Sequence, residues 1–134
     1  MLSSNRGDYL RALYLLEERG KPMRLVNLSG YLAVSKASVS EMLTQLQTAG
    51  YIRQEPYAPI HLTAKGRREG RKLTQRHRLI EVFLTEKLKM PASRVHAEAD
   101  RLEHAFSDDA IERLRSYLGD PSVDPHGTPI PTLK

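Results

Sequence analysis

The sequence predicts a mainly α fold interrupted by one short β-hairpin, and three observations predict it. Apolar residues recur at intervals of three and four along most of the 134 residues. Serines or threonines stand ahead of these runs and glycines close them. Residues 51–63 break the pattern and read as two short strands around a loop holding Pro56 and Pro59. With 40% hydrophobic residues the chain can bury a core without staples. It contains no cysteine, which excludes disulfides, thiolate metal sites and thiol nucleophiles. No apolar run approaches the roughly 18 residues that span a bilayer, and Met1 to Arg11 lacks the apolar centre of a signal peptide. A cytoplasmic protein with no membrane partner is expected, and the net charge of +5 favours a polyanionic one.

In chain order, Ser3 or Ser4 caps a first helix reaching about Arg19, with Tyr9, Leu10, Leu13 and Leu16 toward the core and Asp8 near its start. A short carboxylate there suits the positive end of the helix dipole as well as a metal. Pro22 opens a second, short helix on Leu25, Leu28 and Leu32 that stops near Ala33. Ser35 caps a third, in which Val39, Met42, Leu43 and Leu46 form the buried stripe. Lys36, Ser38, Ser40, Glu41, Thr44 and Gln45 lie on its other side. Two short helices with a polar second outer face make a pattern that reads either as a helical hairpin without a DNA role or as a helix-turn-helix, whose second helix enters a major groove. The strands Tyr51 to Gln54 and Ile60 to Thr63 then form a wing whose tip carries no Arg or Lys. Thr63 caps a long helix to about Leu88. Its first half, with Lys65, Arg67, Arg68, Arg71, Lys72, Arg76 and Arg78, reads equally as a solvated face or a phosphate-contacting one.

The second half of that helix and the next one carry a different chemistry. His77 and Glu81 stand one turn apart beside Leu79, Ile80, Val82, Phe83 and Leu84. Pro91 starts a helix whose stretch from Val95 to Phe106, read as continuous, places His96, Asp100, Glu103 and His104 within roughly a third of its circumference, beside an apolar stripe of Val95, Ala99, Leu102 and Phe106. Such a stripe reads as a solvated polar face or as a metal site, and carboxylates and imidazoles without thiols suit Mn(II), Fe(II), Co(II) or Zn(II). Ser107 with Asp108 and Asp109 begins a last helix on Ile111, Leu114 and Leu118, closed by Gly119. Residues 120–134 read as an extended tail or linker with little to bury.

With these elements in place, the sequence resembles the diphtheria toxin repressor and manganese transport regulator family over nearly its whole length. The resemblance rests on Asp8-Tyr9-Leu10, Leu32-Ala33-Val34-Ser35 with Ser38-Val39-Ser40, Leu62-Thr63-Ala64-Lys65-Gly66, and Arg76-His77-Arg78-Leu79. Most specific is Val95-His96 through Glu103-His104 followed by Ser107-Asp108. It implies a homodimer, with a winged helix-turn-helix DNA-binding domain over residues 1–72 and an all-helical dimerisation and metal-binding domain over 73–119. The tail 120–134 follows, where Gly127-Thr128-Pro129-Ile130-Pro131 looks like the segment leading longer members into an SH3-like domain.

Carried over by position, Asp8, Asp100, Glu103 and His104 match the family's activating metal site, and His77, Glu81 and His96 the ancillary one. Asp8 stands where the iron branch has methionine and Asp100 where it has cysteine, which tilts the site toward Mn(II), with Fe(II) the alternative and Zn(II) or Co(II) able to bind in vitro. Arg11 stands where the manganese branch has a glutamate ligand. On the DNA side Arg24, Ser35, Ser38 and Ser40 match phosphate- and base-contacting positions, Lys36 and Gln45 share their face, and Glu41 replaces the usual Gln or Lys and can accept from cytosine N4.

The resemblance implies a corepressor mechanism acting on metal-uptake genes. A metal bound by Asp8 from one lobe and by Asp100, Glu103 and His104 from the other fixes two recognition helices about 34 Å apart on a palindromic operator. Two rivals are a metal-independent winged-helix regulator and a helical carboxylate-bridged metalloenzyme. The second lacks the Glu-x-x-His pair on two helices, and no nucleophile or phosphate loop is present, so neither an enzyme nor a small organic substrate is expected.

Overall fold

The computed structural model describes residues 2–133 and contains six helices and one two-stranded antiparallel sheet among them. It divides into two compact units, Met1–Arg71 and Lys72–Lys134, with the division falling inside the long fourth helix.

In the first unit, α1 (Ser4–Glu18) begins where the Ser3 hydroxyl accepts from the Arg6 amide at 3.2 Å. The helix α2 (Leu25–Leu32) ends on Ala33 in the left-handed region, and α3 (Lys36–Thr48) starts at Ser35, whose hydroxyl accepts from the Ser38 amide at 3.1 Å. These caps satisfy amides that the first helical turn leaves unbonded. Leu10, Leu13, Leu28, Val39 and Leu46 are fully buried in one core, joined by Ile52, Ile60 and Leu62 from the wing. The wing strands β1 (Ile52–Arg53) and β2 (His61–Leu62) pair Ile52 with Leu62 and Arg53 with His61. They are shorter than the expected four residues each. The Ile60 amide bonds instead to the Met23 carbonyl at 2.7 Å, and Pro56 and Pro59 withhold donors from the ladder.

The helix α4 (Ala64–Glu86) leaves the wing through Thr63, whose hydroxyl accepts from the Gly66 amide at 3.1 Å. Glycine is required at its start. A Cβ on Gly66 would lie 2.0 Å from the Tyr51 carbonyl oxygen, and one on Gly70 2.7 Å from that of Leu10.

In the second unit, α5 (Ala92–Leu102) and α6 (Asp108–Tyr117) pack with the later part of α4 around Leu79, Ile80, Leu84, Val95, Ala99, Ile111 and Leu114. The helix α5 ends four residues before the expected Phe106, so Glu103 is its C-cap and His104 lies in the turn beyond it. The cause is Arg76. Its guanidinium donates to the Phe106 carbonyl at 2.6 Å and the Glu103 carbonyl at 3.4 Å, binding the chain as it leaves the helix.

The expectation of an extended tail is also corrected. Residues 120–133 are irregular but folded back on the second unit. Val123 bridges Pro129, the Asp124 carboxylate accepts from the amides of His126 and Thr128 at 2.9 and 2.8 Å, and Ile130 packs on the core. Arg78 donates to the Pro129 carbonyl at 2.7 Å. No helix among the described residues is long and apolar enough to cross a membrane.

Candidate metal centre and nucleic-acid face

The basic run of α4 reads differently in three dimensions. Lys65 donates to the Ala49 carbonyl at 3.0 Å with its ammonium over the Tyr51 ring, and Arg67 pairs bidentately with Glu17. Lys72 pairs with Asp108 at 3.0 Å, while Arg76 and Arg78 are buried and bound to carbonyls. Five of the seven cations are thus engaged within the chain. The Asp108 carboxyl is held below the usual carboxylate range, chiefly by the Lys72 hydrogen bond and against a smaller burial effect, with the charges of Lys72 and Arg76 adding.

Between those buried arginines, His77 is the hub of the second unit's polar cluster. Its Nδ1 lies 3.1 Å from Glu103 Oε2 and 3.3 Å from Asp100 Oδ1, and its Nε2 3.1 Å from His96 Nδ1 and 3.5 Å from Glu81 Oε2. His96 Nε2 is 3.5 Å from Asp100 Oδ2, and His104 Nε2 is 3.7 Å from Glu103 Oε1. His77, Glu81 and Glu103 are buried while His96 is exposed, so the cluster runs from the interior to the surface. Burial raises the Glu81 carboxyl, but the hydrogen bond and charge of His77, with His126 and His96 adding, outweigh it and hold the group below its ordinary value.

The donor set fits a first-row dication. Two donors each about 2.1 Å from a metal at right angles stand about 3 Å apart, close to these separations, and all donors are oxygen or nitrogen. Asp100 gathers with His77 and His96, their ligand atoms within 4.8 Å of one another. Asp8 lies exposed on α1 of the first unit.

A second cluster escaped the sequence reading. Glu81, Asp124 and His126 bring ligand atoms within 4.8 Å of one another. The only signal was Asp-x-His inside a Pro- and Gly-rich segment, which has no periodicity to reveal that it returns to α4.

On the DNA side, Arg24, Ser35, Lys36, Ser38, Ser40, Glu41 and Gln45 are all exposed in the first unit. Arg24 is the N-cap residue of α2, and the rest lie at or within α3. Gln45 accepts from Arg6 at 3.4 Å and the Ser35 hydroxyl donates to that of Ser38 at 2.9 Å, which orients the α3 N-terminus.

Comparison with known proteins agrees with both units. Residues 1–60 match the model "Iron dependent repressor, N-terminal DNA binding domain" and residues 63–132 match "Iron dependent repressor, metal binding and dimerisation domain". An uncharacterized HTH-type transcriptional regulator of Methanocaldococcus jannaschii is 36% identical over 87% of this chain and 94% of its own length. The iron-dependent repressor IdeR of Mycobacterium leprae is 36% identical over 93% of this chain, which spans only 54% of that protein. The solved structure of the manganese regulator SloR superposes with a TM-score of 0.86 at 38% identity, covering 98% of this chain and 61% of that one. With both domains matched in order, and with imidazoles and carboxylates gathered in the second and a helix-turn-helix and wing in the first, the chain belongs to the iron-dependent repressor family of transcriptional regulators.

Proposed function

We propose that this protein is a homodimeric, metal-dependent DNA-binding repressor of metal-uptake genes in the cytoplasm, responding to Mn(II) first and Fe(II) second, and that it is not an enzyme. The observation that carries the reading is the cluster around the buried His77 of α4, where two imidazoles and three carboxylates from α4, α5 and the α5 C-cap meet at 3.1 to 3.7 Å. An all oxygen and nitrogen set favours manganese over the softer alternatives, and Zn(II) or Co(II) can occupy it in vitro. His77, Glu81, His96, Asp100, Glu103 and His104 hold metal in this reading, and Asp8 keeps the ligand role that the family resemblance gives it. His126 and Asp124 supply a further position with Glu81. A bound cation offsets the repulsion among the acids and orders their elements. Arg24, Ser35, Lys36, Ser38, Ser40, Glu41 and Gln45 form the DNA face, with domain limits near residues 72 and 119, and a dimer then reads a palindromic operator. The exposed Leu88 and Tyr117 of the second unit suit its matched dimerisation role.

The test is binding to a duplex from the gene's own upstream region at fixed ionic strength, in chelator and then with Mn(II), anaerobic Fe(II) or Zn(II). Binding in metal alone is expected, with Asp8→Ala and Glu103→Gln losing the metal response and His126→Ala lowering the bound-metal stoichiometry. Equal binding in chelator refutes the corepressor role.

A further inference from the structure

We propose that Tyr57, at the tip of the wing, is a DNA-contacting residue whose ring packs on the sugar–phosphate wall of the minor groove, beside the major groove that α3 enters. The proposal rests on the DNA-binding reading and adds to it a contact made without charge.

The backbone at the tip is the first observation. The Ala58 amide donates to the Glu55 carbonyl at 3.1 Å, closing a four-residue turn with Pro56 second and Tyr57 third. Tyr57 has φ +62°. The third position of such a turn is filled by Gly or Asn, because a bulky side chain is disfavoured in the left-handed region. Intramolecular packing does not offset the strain here, since Tyr57 has a relative exposure of 102%. The fold holds an aromatic ring in water, in a conformation that a smaller residue would adopt more easily.

The base of the wing is the second observation. Ile52, Ile60 and Leu62 are buried, and the Ile60 amide is tied to the Met23 carbonyl. Pro56 and Pro59 stiffen the loop between them. The ring is therefore presented on a rigid support, which lowers the ordering cost of docking it.

The third is what surrounds it. Arg53 and His61, paired across the two strands, are both exposed, so the wing's strands carry a cation, while the exposed Glu55 opens the tip turn and leaves the tip itself without positive charge. The same unit carries α3, and the DNA-binding family model runs through the tip to residue 60. A partner that offers phosphates to Arg53 and an apolar sugar wall to Tyr57 is duplex DNA.

The experiment uses the full chain with Mn(II) and a duplex selected from a random-sequence pool by the wild-type protein. Tyr57→Asn keeps a residue at ease in the left-handed region and removes the ring. It is expected to weaken DNA binding about tenfold, the scale of one aromatic contact. Manganese affinity should be unchanged and the thermal midpoint equal or higher. Because the ring is uncharged, the slope of log affinity against log salt should stay as in wild type, whereas Arg53→Ala should flatten it by roughly 1. Tyr57→Phe should stay within about twofold of wild type, and a loss matching that of Asn overturns packing by the ring. Unchanged DNA affinity in Tyr57→Asn overturns the proposal while leaving the DNA-binding reading intact. If the wild-type protein selects no duplex with Mn(II) present, the DNA-binding reading itself fails.

Discussion

Replacing Arg76 by methionine tests whether one buried guanidinium sets the end of α5 and with it the position of Glu103 and His104. Methionine keeps most of the aliphatic stem, so the change removes mainly the charged head. The residue is only 8% exposed, and its head makes three contacts of unequal weight. The bond to the Phe106 carbonyl, at 2.6 Å, is a charge-assisted bond worth about 1.5 to 3 kcal/mol. The Glu103 carbonyl at 3.4 Å adds little. Asp108 is 74% exposed and keeps Lys72 at 3.0 Å, so losing Arg76 costs that carboxylate less than about 1 kcal/mol. The sum is about 3 kcal/mol, or roughly 10 °C in Tm for a chain of this size. Urea unfolding in chelator measures it, with Asp108→Asn as the internal comparison, expected to lose under about 1 kcal/mol. Manganese titration should show weaker binding in Arg76→Met. If that variant loses no more stability than Asp108→Asn, the guanidinium is not what ends the helix.

Two further outcomes follow from backbone approach and from charge. Gly66→Ala should destabilise by about 3 kcal/mol, because the new methyl meets backbone 2.0 Å away, whereas Gly30→Ala, with open space around it in α2, should stabilise by about 0.5 to 1 kcal/mol in the same urea assay. Asp108 has a folded-state pKa below its unfolded value, so its stabilisation is present above about pH 4 and is lost as pH falls through the folded value. Stability measured between pH 5 and pH 2.5 should therefore fall less steeply in Asp108→Asn than in wild type.

The helices were legible because their ends are written locally. Ser3, Ser35 and Ser107 each accept from the amide three residues on, and the apolar spacing between caps needs no tertiary information. What escaped was set by partners distant in sequence. Periodicity carries Val95 to Phe106 as one helix, whereas it ends at Leu102, and Arg76, some thirty residues earlier, binds the carbonyl of Phe106 beyond that end. A charge run looks solvated or phosphate-directed until its members find carbonyls, as Arg76 and Arg78 do. The residue types that converge on His77 were readable from helical spacing, whereas the distances between them depend on how α4 and α5 pack. Asp124 and His126 were invisible for the same reason, because their segment has no regular structure and is held by its own turn and by Arg78.

The packing of imidazoles against carboxylates around His77 has a chemical consequence beyond affinity. An imidazole accepts a metal only on a nitrogen free of its proton, so an ion entering this cluster competes with hydrogen ions for the same lone pairs. Each binding event at such a site would be an exchange in which protons leave as the dication arrives. On the proposed metal-binding role, the concentration of ion needed for half-occupancy would rise as the surroundings acidify, so that metal activity would be read relative to that of the proton.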